Sequence, residues 1–516
     1  MNNKTKSPLI FLFFPLLVLI PITIQIIINF HMGGIETFLS FFRASISPSL
    51  NIIVLSNVLN GLLLTIAIAL ISWLISMISG IFLGLISSNI FWQVICNKKY
   101  IGVLIRRFLC IPRSIHEVVW GLFLLQIFGL NPLIAVIAIV IPHSSLISRV
   151  VADQMDTINQ NTLFAIKQSG ASSVGVLITA LFPPLIPVLT SYGAYRIECC
   201  IRGATLLGIF GLGGIGTEMK LTFQSLEFNE LWTALWLLGI TIFILESFLN
   251  RLRNYKNFKI NKLSTFWGII LFLFLFYWSV SMLNIEPLKL INIRSLGIPS
   301  FSSIKIVFNE IEILKLTLTT ILITLLSAGL AIGIPPLTLM IWHEGKGIKI
   351  LNFFWLFFRL MPPPLTALLL LLCINPCLSL ASISIGITSM GVMGRLLKDL
   401  IENQNNLSFE AIQSTGATEK LSWLYGKLSP QSRSYLAFAA YRADVLLRDT
   451  ALIGVVGGMG LGWQLQESLS SFDWNQVIVI TFTFVALTFI GETISDNSRK
   501  YWLGGNNSNS SPNLIF

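Results

Sequence analysis

Charged and glycine residues set inside long apolar runs recur in this chain at one fixed spacing. Tyr195-Arg196, Arg202, Gly208, Gly214 and Gly216 return as Tyr441-Arg442, Arg448, Gly454, Gly460 and Gly462, each 246 residues later. Arg113, Arg149, Gly170 and Glu246 return at the same offset as Arg359, Arg395, Gly416 and Glu492. An arginine inside a bilayer costs roughly 2.5–3.5 kcal/mol on insertion scales. One such residue is an accident of packing. Matched sets in two halves point to one charged pathway assembled from two copies of one module.

The apolar runs decide the class. The chain is 54% hydrophobic and 11% charged, against roughly 25% charged in soluble domains. Many runs reach the about 20 residues a helix needs to cross hydrocarbon. They are continuous and rich in Leu, Ile and Phe, so they read as helices and not as alternating barrel strands. The expected fold is all-α and transmembrane, with twelve spans in two six-helix modules. The expected spans are 9–30, 58–88, 107–129, 132–151, 184–208 and 229–249, then 264–284, 314–341, 350–373, 377–397, 433–456 and 474–494. The first run follows Lys4 and Lys6 and has no small-residue cleavage site after it, so it reads as a retained span.

The net charge of +11 does not indicate nucleic acid. Lys98, Lys99, Arg106 and Arg107 share one loop, and Arg251, Arg253, Lys256, Lys259 and Lys262 share another. Basic loops between spans mark the cytoplasmic side, which places both termini inside. Lys289, Arg294 and Lys305 depart from the rule in the long loop 285–312. The expected organisation is a first module 1–252, a basic linker 253–263, a second module 264–500 and a disordered tail 501–516. No hydrophilic stretch is long enough for a soluble domain, so ATP-hydrolysing machinery would be a separate chain. The six cysteines and four histidines show no metal-ligand spacing, and no cofactor is expected.

Two polar segments between the fourth and fifth spans of each half share a pattern. The first runs Phe164-Ala165-Ile166-Lys167-Gln168-Ser169-Gly170-Ala171 and continues to Pro183. The second runs Glu410-Ala411-Ile412-Gln413-Ser414-Thr415-Gly416-Ala417 and continues to Pro430. Each is a short helix, a redirecting glycine, a second helix, and a proline opening the next span. This pattern resembles the coupling loop of type I ATP-binding-cassette importer permeases. The resemblance implies that Ala165, Gly170, Ala171, Pro183, Glu410, Ala411, Gly416 and Ala417 lie on loops that dock two ATPase subunits. Glu410 has Phe164 as its counterpart, and Ser429 stands opposite Pro183. The two contacts are therefore expected to be unequal.

A closer resemblance is to the phosphonate importer permeases. It rests on Tyr195-Arg196-Ile197-Glu198, Arg202-Gly203-Ala204-Thr205 and Gly211 to Gly216, with the second copies Tyr441-Arg442-Ala443-Asp444, Arg448-Asp449 and Gly457 to Gly462. Arg113-Ser114-Ile115-His116-Glu117 is similar to the opening of that group's third span. The second copy keeps Arg359 but has Pro363 opposite Glu117. The resemblance covers about residues 60–250 and 310–495 and implies a tandem fusion of two permease modules in a bacterial inner membrane. It also implies a substrate-binding protein as partner and a phosphonate or phosphite as cargo.

The residues themselves allow two readings of the arginines. Arg202, Arg448, Arg196, Arg442 and Glu117 are candidates for the translocation path, because guanidinium forks suit tetrahedral oxyanions. Glu198, Asp444 and Asp449 lie close enough in sequence for structural ion pairs instead. Arg196 and Arg202 are about 240° apart on a helix, so they do not address one spot. Gly211, Gly214, Gly216, Gly460 and Gly462 fit a flexible outer loop. The G-x-G-x-x-G match there lacks the strand that a dinucleotide site requires. Other substrates of fused permeases (ferric iron, thiamine), a secondary transporter and a membrane scaffold are the rival readings.

Overall fold

The computed structural model describes residues 12–96, 98, 100–157, 160–254, 262–283, 311–342, 345–402, 404–456 and 459–503. Named strands are absent among them, and helices carry the fold. In the first half these are α1 (Leu19–Asn29), α2 (Ile52–Ser87), α3 (Asn89–Cys96), α4 (Tyr100–Ser114), α5 (Glu117–Phe128), α6 (Pro132–Asp156), α7 (Gln160–Gln168), α8 (Phe182–Leu207), α9 (Ile215–Gln224) and α10 (Phe228–Asn254). The second half contributes α11 (Lys262–Met282), α12 (Ile313–Ile341), α13 (Gly345–Leu360), α14 (Pro363–Leu371), α15 (Leu378–Glu402), α16 (Leu407–Gln413), α17 (Ser429–Asp449), α18 (Gly460–Ser470) and α19 (Trp474–Leu503). Starts are set by side-chain caps. Asn51 accepts from the Ile53 amide at 3.1 Å, and Asn131 accepts from Leu133 at 3.0 Å just before Pro132.

Among the described residues, seven helices are long and apolar enough to cross a membrane, or nine if two bent pairs each count as one span. The twelve expected spans are thus not all recovered by length and composition. The three that fall short have physical reasons. Only Phe14–Asn29 and Leu273–Met282 are described as apolar helices at the first and seventh positions. The eleventh, α17, carries Arg433, Arg442, Asp444, Arg448 and Asp449. The bent pairs are α4 with α5, at 77°, and α13 with α14, at 93°. They break at equivalent positions, by different means. His116 caps α5 through its own imidazole, accepting from Val118 at 3.2 Å, whereas Pro362 and Pro363 end one helix and open the next.

The chain packs as two compact units that do not follow the linear halves. One is Ala44–Leu296; the other joins Met1–Arg43 to Gly297–Asn507. The expected cut at the linker 253–263 is therefore not where packing divides. In the first unit α11 lies against α2, although α11 belongs to the second half of the sequence. Gly80 and Gly84 seat α6 on α2 so closely that a Cβ would fall 2.6 Å from Ile147 Cβ and 2.5 Å from Val151 Cβ. Trp73 fastens α8 by donating to the Gly193 carbonyl at 2.8 Å.

In the second unit the leading segment of the chain is the guest. Gly329 and Gly333 on α12 face Val18 and Leu16 of the turn before α1. Gln25 of α1 accepts from the Ser379 hydroxyl and amide at 2.8 and 3.1 Å, and His31 donates its amide to Cys373. Buried amide hydrogen bonds tie α1 to α15, so the exchange of leading helices is specific. The linker residues 255–261, most of the loop 285–312 and the tail from 504 lie outside the described residues.

Candidate functional site

Both polar segments fold as expected in outline. The first is α7, then Gly170 with φ +91°, then a helical turn Ser173–Val176 capped by Ser172, whose hydroxyl accepts from Gly175 at 3.1 Å. The second is α16, then Gly416 with φ +83°, then Glu419–Trp423. Both glycines occupy the left-handed region that costs an L side chain roughly 1–2 kcal/mol. Each segment then passes through one wide turn, Leu177–Leu181 or Leu424–Leu428, into the fifth span. That turn starts 247 residues apart in the two copies, one more than the repeat.

The outer faces of these segments are exposed. Ala165, Gly170, Pro183, Glu410, Ala411 and Gly416 all lie on the surface, and Ala171 and Ala417 are half-buried. The side chain of Phe164 lies outside the described residues. The inner faces are anchored differently. Lys167 and Ser173 both donate to the Val94 carbonyl at the end of α3, Ser173 at 3.1 Å. Asp156 in turn holds α3, accepting from the Ser88 hydroxyl at 2.7 Å and the Ile90 amide at 3.2 Å while pairing with Arg106. The second copy has no such bracket among the described residues. Phe409 instead packs its backbone on Gly426, whose Cβ would lie 2.6 Å from Phe409 Cα, with Lys427 4.9 Å over its ring.

The matched arginines of the fifth spans are buried (Arg196, Arg448) or half-buried (Arg202, Arg442) and mostly paired. Arg202 pairs with Glu198 one turn back, and Arg448 pairs with Asp444 at the equivalent positions. The second pair is the more deeply buried, with side-chain exposures of 8% and 2% against 25% and 10%. The ion-pair reading of Arg202 and Arg448 is thus the geometry observed. Arg442 donates to Ser389 Oγ from Nη2 at 2.8 Å and from Nε at 3.2 Å, with Asp449 at 3.8 Å. Arg196 stacks 5.8 Å over the Tyr192 ring. Arg149–Asp153 and Arg395–Asp399, at 3.8 and 3.7 Å, repeat a further pair on the fourth spans.

Glu117 opens α5 at the break in the third span. Its Oε2 is 3.6 Å from His116 Nδ1, and its Oε1 would lie 3.3 Å from a Cβ on Gly203 of α8. The structure therefore brings Glu117 to the fifth span of its own half. It also places His143 there, buried with Nδ1 3.3 Å from Cys200 Sγ. His143 was not singled out in the sequence. The available signal was its offset, since Ser389 stands 246 residues on and binds Arg442.

The glycine turns differ from the expectation of a flexible outer loop. Gly211 and Gly214 take positive φ (+96° and +91°), as does Gly460 (+76°), and the chain is packed tightly around them. A Cβ on Gly216 would fall 2.0 Å from the Thr205 carbonyl oxygen, and one on Gly462 would fall 2.6 Å from that of Thr450. Thr65 of α2 accepts from the Ile215 amide at 2.9 Å, and Thr320 of α12 accepts from the Leu461 amide at 2.9 Å. Each following helix is thus capped by a hydroxyl from a neighbouring span. Sequence shows that glycine is needed here, but not whether the need is motion or close approach. Gly457 and Gly458 lie outside the described residues.

These features have known counterparts. Residues 80–262 match the family described as binding-protein-dependent transport system inner membrane component. The chain carries a permease domain of this ATP-binding-cassette importer family over those residues. It is 21% identical over 415 residues to the phosphate-import permease protein PhnE of Mycolicibacterium smegmatis, covering 74% of this chain and 75% of that one. The putative phosphite transport system permease protein HtxC of Stutzerimonas stutzeri is 28% identical over 221 residues, or 43% and 76% of the two chains. The putative cryptic phosphonate transport system permease protein PhnE2 of Escherichia coli K12 is 26% identical over 119 residues, or 23% and 98%. The permease is a multi-pass membrane protein, and its length fits two fused modules of the family.

Proposed function

We propose that this permease imports phosphorus oxyanions, of the phosphonate, phosphite or phosphate class, by ATP-driven alternating access. The observation that carries the reading is a pairing made twice. In both halves a helix–glycine–helix segment leads through one wide turn into a span that carries two matched arginines, one buried and one half-buried. The first feature suits a docking ATPase and the second suits an anionic cargo. The printed names of the three relatives point to the same element in its oxidised forms.

In this reading two ATPase subunits dock at residues 157–180 and 403–427, on the cytoplasmic side with both termini. A binding protein delivers cargo to the opposite face. Closure of the ATPases pulls on the two segments, and the wide turns pass the movement to α8 and α17. Hydrolysis of ATP takes place on the partner chains. The duplicated module is the sequence half, whereas the two packed units exchange leading helices.

The test is stimulation of ATP hydrolysis in liposomes holding the permease, its ATPase and its binding protein. Methylphosphonate, phosphite and phosphate are expected to stimulate, and ferric iron and thiamine are not. Stimulation by iron or thiamine alone overturns the substrate class. Uptake without ATP overturns the mechanism.

A further inference from the structure

Resting on the oxyanion reading, we infer that the permease holds its cargo in one half only, on the guanidinium of Arg196. The argument compares Arg196 with its copy. Arg442 is satisfied within the protein by Ser389 and Asp449. The residues 246 positions before these partners are His143 and Gly203. Both partners are therefore missing from the first half.

The consequence is visible at Arg196. The residue is only 6% exposed, and its Nε and Nη2 are buried without a hydrogen-bond partner among the described residues. No neighbouring carboxylate takes the place of Asp449. Glu198 is engaged by Arg202. Glu117 lies beside Gly203 with its Oε2 3.6 Å from His116 Nδ1, and among the described residues no ion pair joins it to Arg196. The remaining surroundings include Tyr192, Tyr195, Cys199, Cys200 and His143. A buried guanidinium lacking a counter-ion is strongly unfavourable. A fold that retains one keeps two donors unused.

The free atoms also specify the anion. Nε and Nη2 form the side edge of the guanidinium, two parallel N–H donors at the spacing of two oxygens on one phosphorus or carbon. Arg442 presents the same edge to Ser389, so there it is closed. The position is on α8, directly downstream of the first coupling segment. Movement of that segment would move the cargo site itself. The second half then serves as scaffold and as the second lever, with its charges neutralised internally.

The test is equilibrium binding of radiolabelled methylphosphonate and phosphite to the purified permease–ATPase complex without binding protein. Sulfate and acetate serve as competitors. One bound anion per chain is expected, and wild-type protein alone decides that point. Arg196→Lys keeps the charge and loses the fork, and is expected to weaken binding by about tenfold or more. Arg442→Lys is expected to have the smaller effect. Thermal unfolding of each variant is measured in parallel. Two anions per chain, or equal weakening by both substitutions, overturns the inference. Unchanged binding in Arg196→Lys does so as well, while oxyanion-stimulated hydrolysis in the wild type would leave the proposed function standing. If no phosphorus oxyanion either binds or stimulates, both fall together.

Discussion

The two halves of this permease share a scaffold and differ in how each settles its buried charge. Both place an arginine–carboxylate pair one turn apart on the fifth span, at Glu198–Arg202 and Asp444–Arg448. Both cap a glycine turn with a threonine from a neighbouring span. Away from those elements they diverge. The third span breaks at a histidine and a glutamate in one half and at prolines in the other. Among the described residues, one helix–glycine–helix segment is bracketed through Asp156 and the other is not. Arg442 is satisfied and Arg196 is not. Fusion into one chain explains why this is tolerated. Two identical subunits must carry every substitution twice, whereas a fused pair can specialise each copy.

The comparison can be broken by mutation. The largest effect is expected at Arg448→Ala, which strands Asp444 in a site where both partners are almost fully buried. A cost of about 3–5 kcal/mol follows, read as a drop in thermal midpoint and yield. Arg202→Ala should cost distinctly less, because Arg202 reaches partial exposure. Adding Asp444→Ala to Arg448→Ala should recover part of the loss. Equal losses in the two halves would erase the contrast.

Next come the glycine turns. Gly216→Ala must force apart two backbones and is expected to cost about 3 kcal/mol. Gly462→Ala should cost less, since its Cβ has 0.6 Å more room against the facing carbonyl, 2.6 Å rather than 2.0 Å. A mobile loop would accept either change without a shift in unfolding temperature. Asp156→Asn is expected to cost about 2 kcal/mol by weakening the hydrogen bonds that hold α3. Its counterpart Glu402→Gln, an exposed residue 3.5 Å from Lys398, should stay within about 0.5 kcal/mol. The smallest effect is the shared one. Thr65→Val and Thr320→Val each remove a helix cap and should each cost about 1 kcal/mol, and a large difference between them would show that the two caps are not equivalent.

Much of this was legible in the sequence because membrane placement makes polarity informative. The repeat, the helix–glycine–helix segments with Gly170 and Gly416, and the ion-pair option at Glu198 and Asp444 all follow from residue type and offset. What was not legible depends on distance. No local pattern shows that α1 packs with the second half and α11 with the first, since an apolar helix carries no label for its partner. Gly329 and Gly333 invite a close neighbour without naming the segment at Pro15–Val18. The glycine turns looked mobile because close approach and flexibility select the same residue. The expected eleventh span rests on the repeat, as the charges of α17 keep it out of the set of apolar membrane-length helices. His143 escaped notice because a lone histidine in an apolar helix reads as core, and only its alignment with Ser389 gives it meaning.

The central claim is that one fused chain offers two separate docking segments to ATPase subunits. It is tested most directly by a photoreactive residue placed at Ala165 and, separately, at Ala411 in the assembled transporter. Both positions are exposed on helices that lead into the fifth spans. The account predicts that each position captures an ATPase subunit, that the two yields differ, and that both change when ATP is bound. Capture at neither position, in a complex that still hydrolyses ATP on adding cargo, would contradict it.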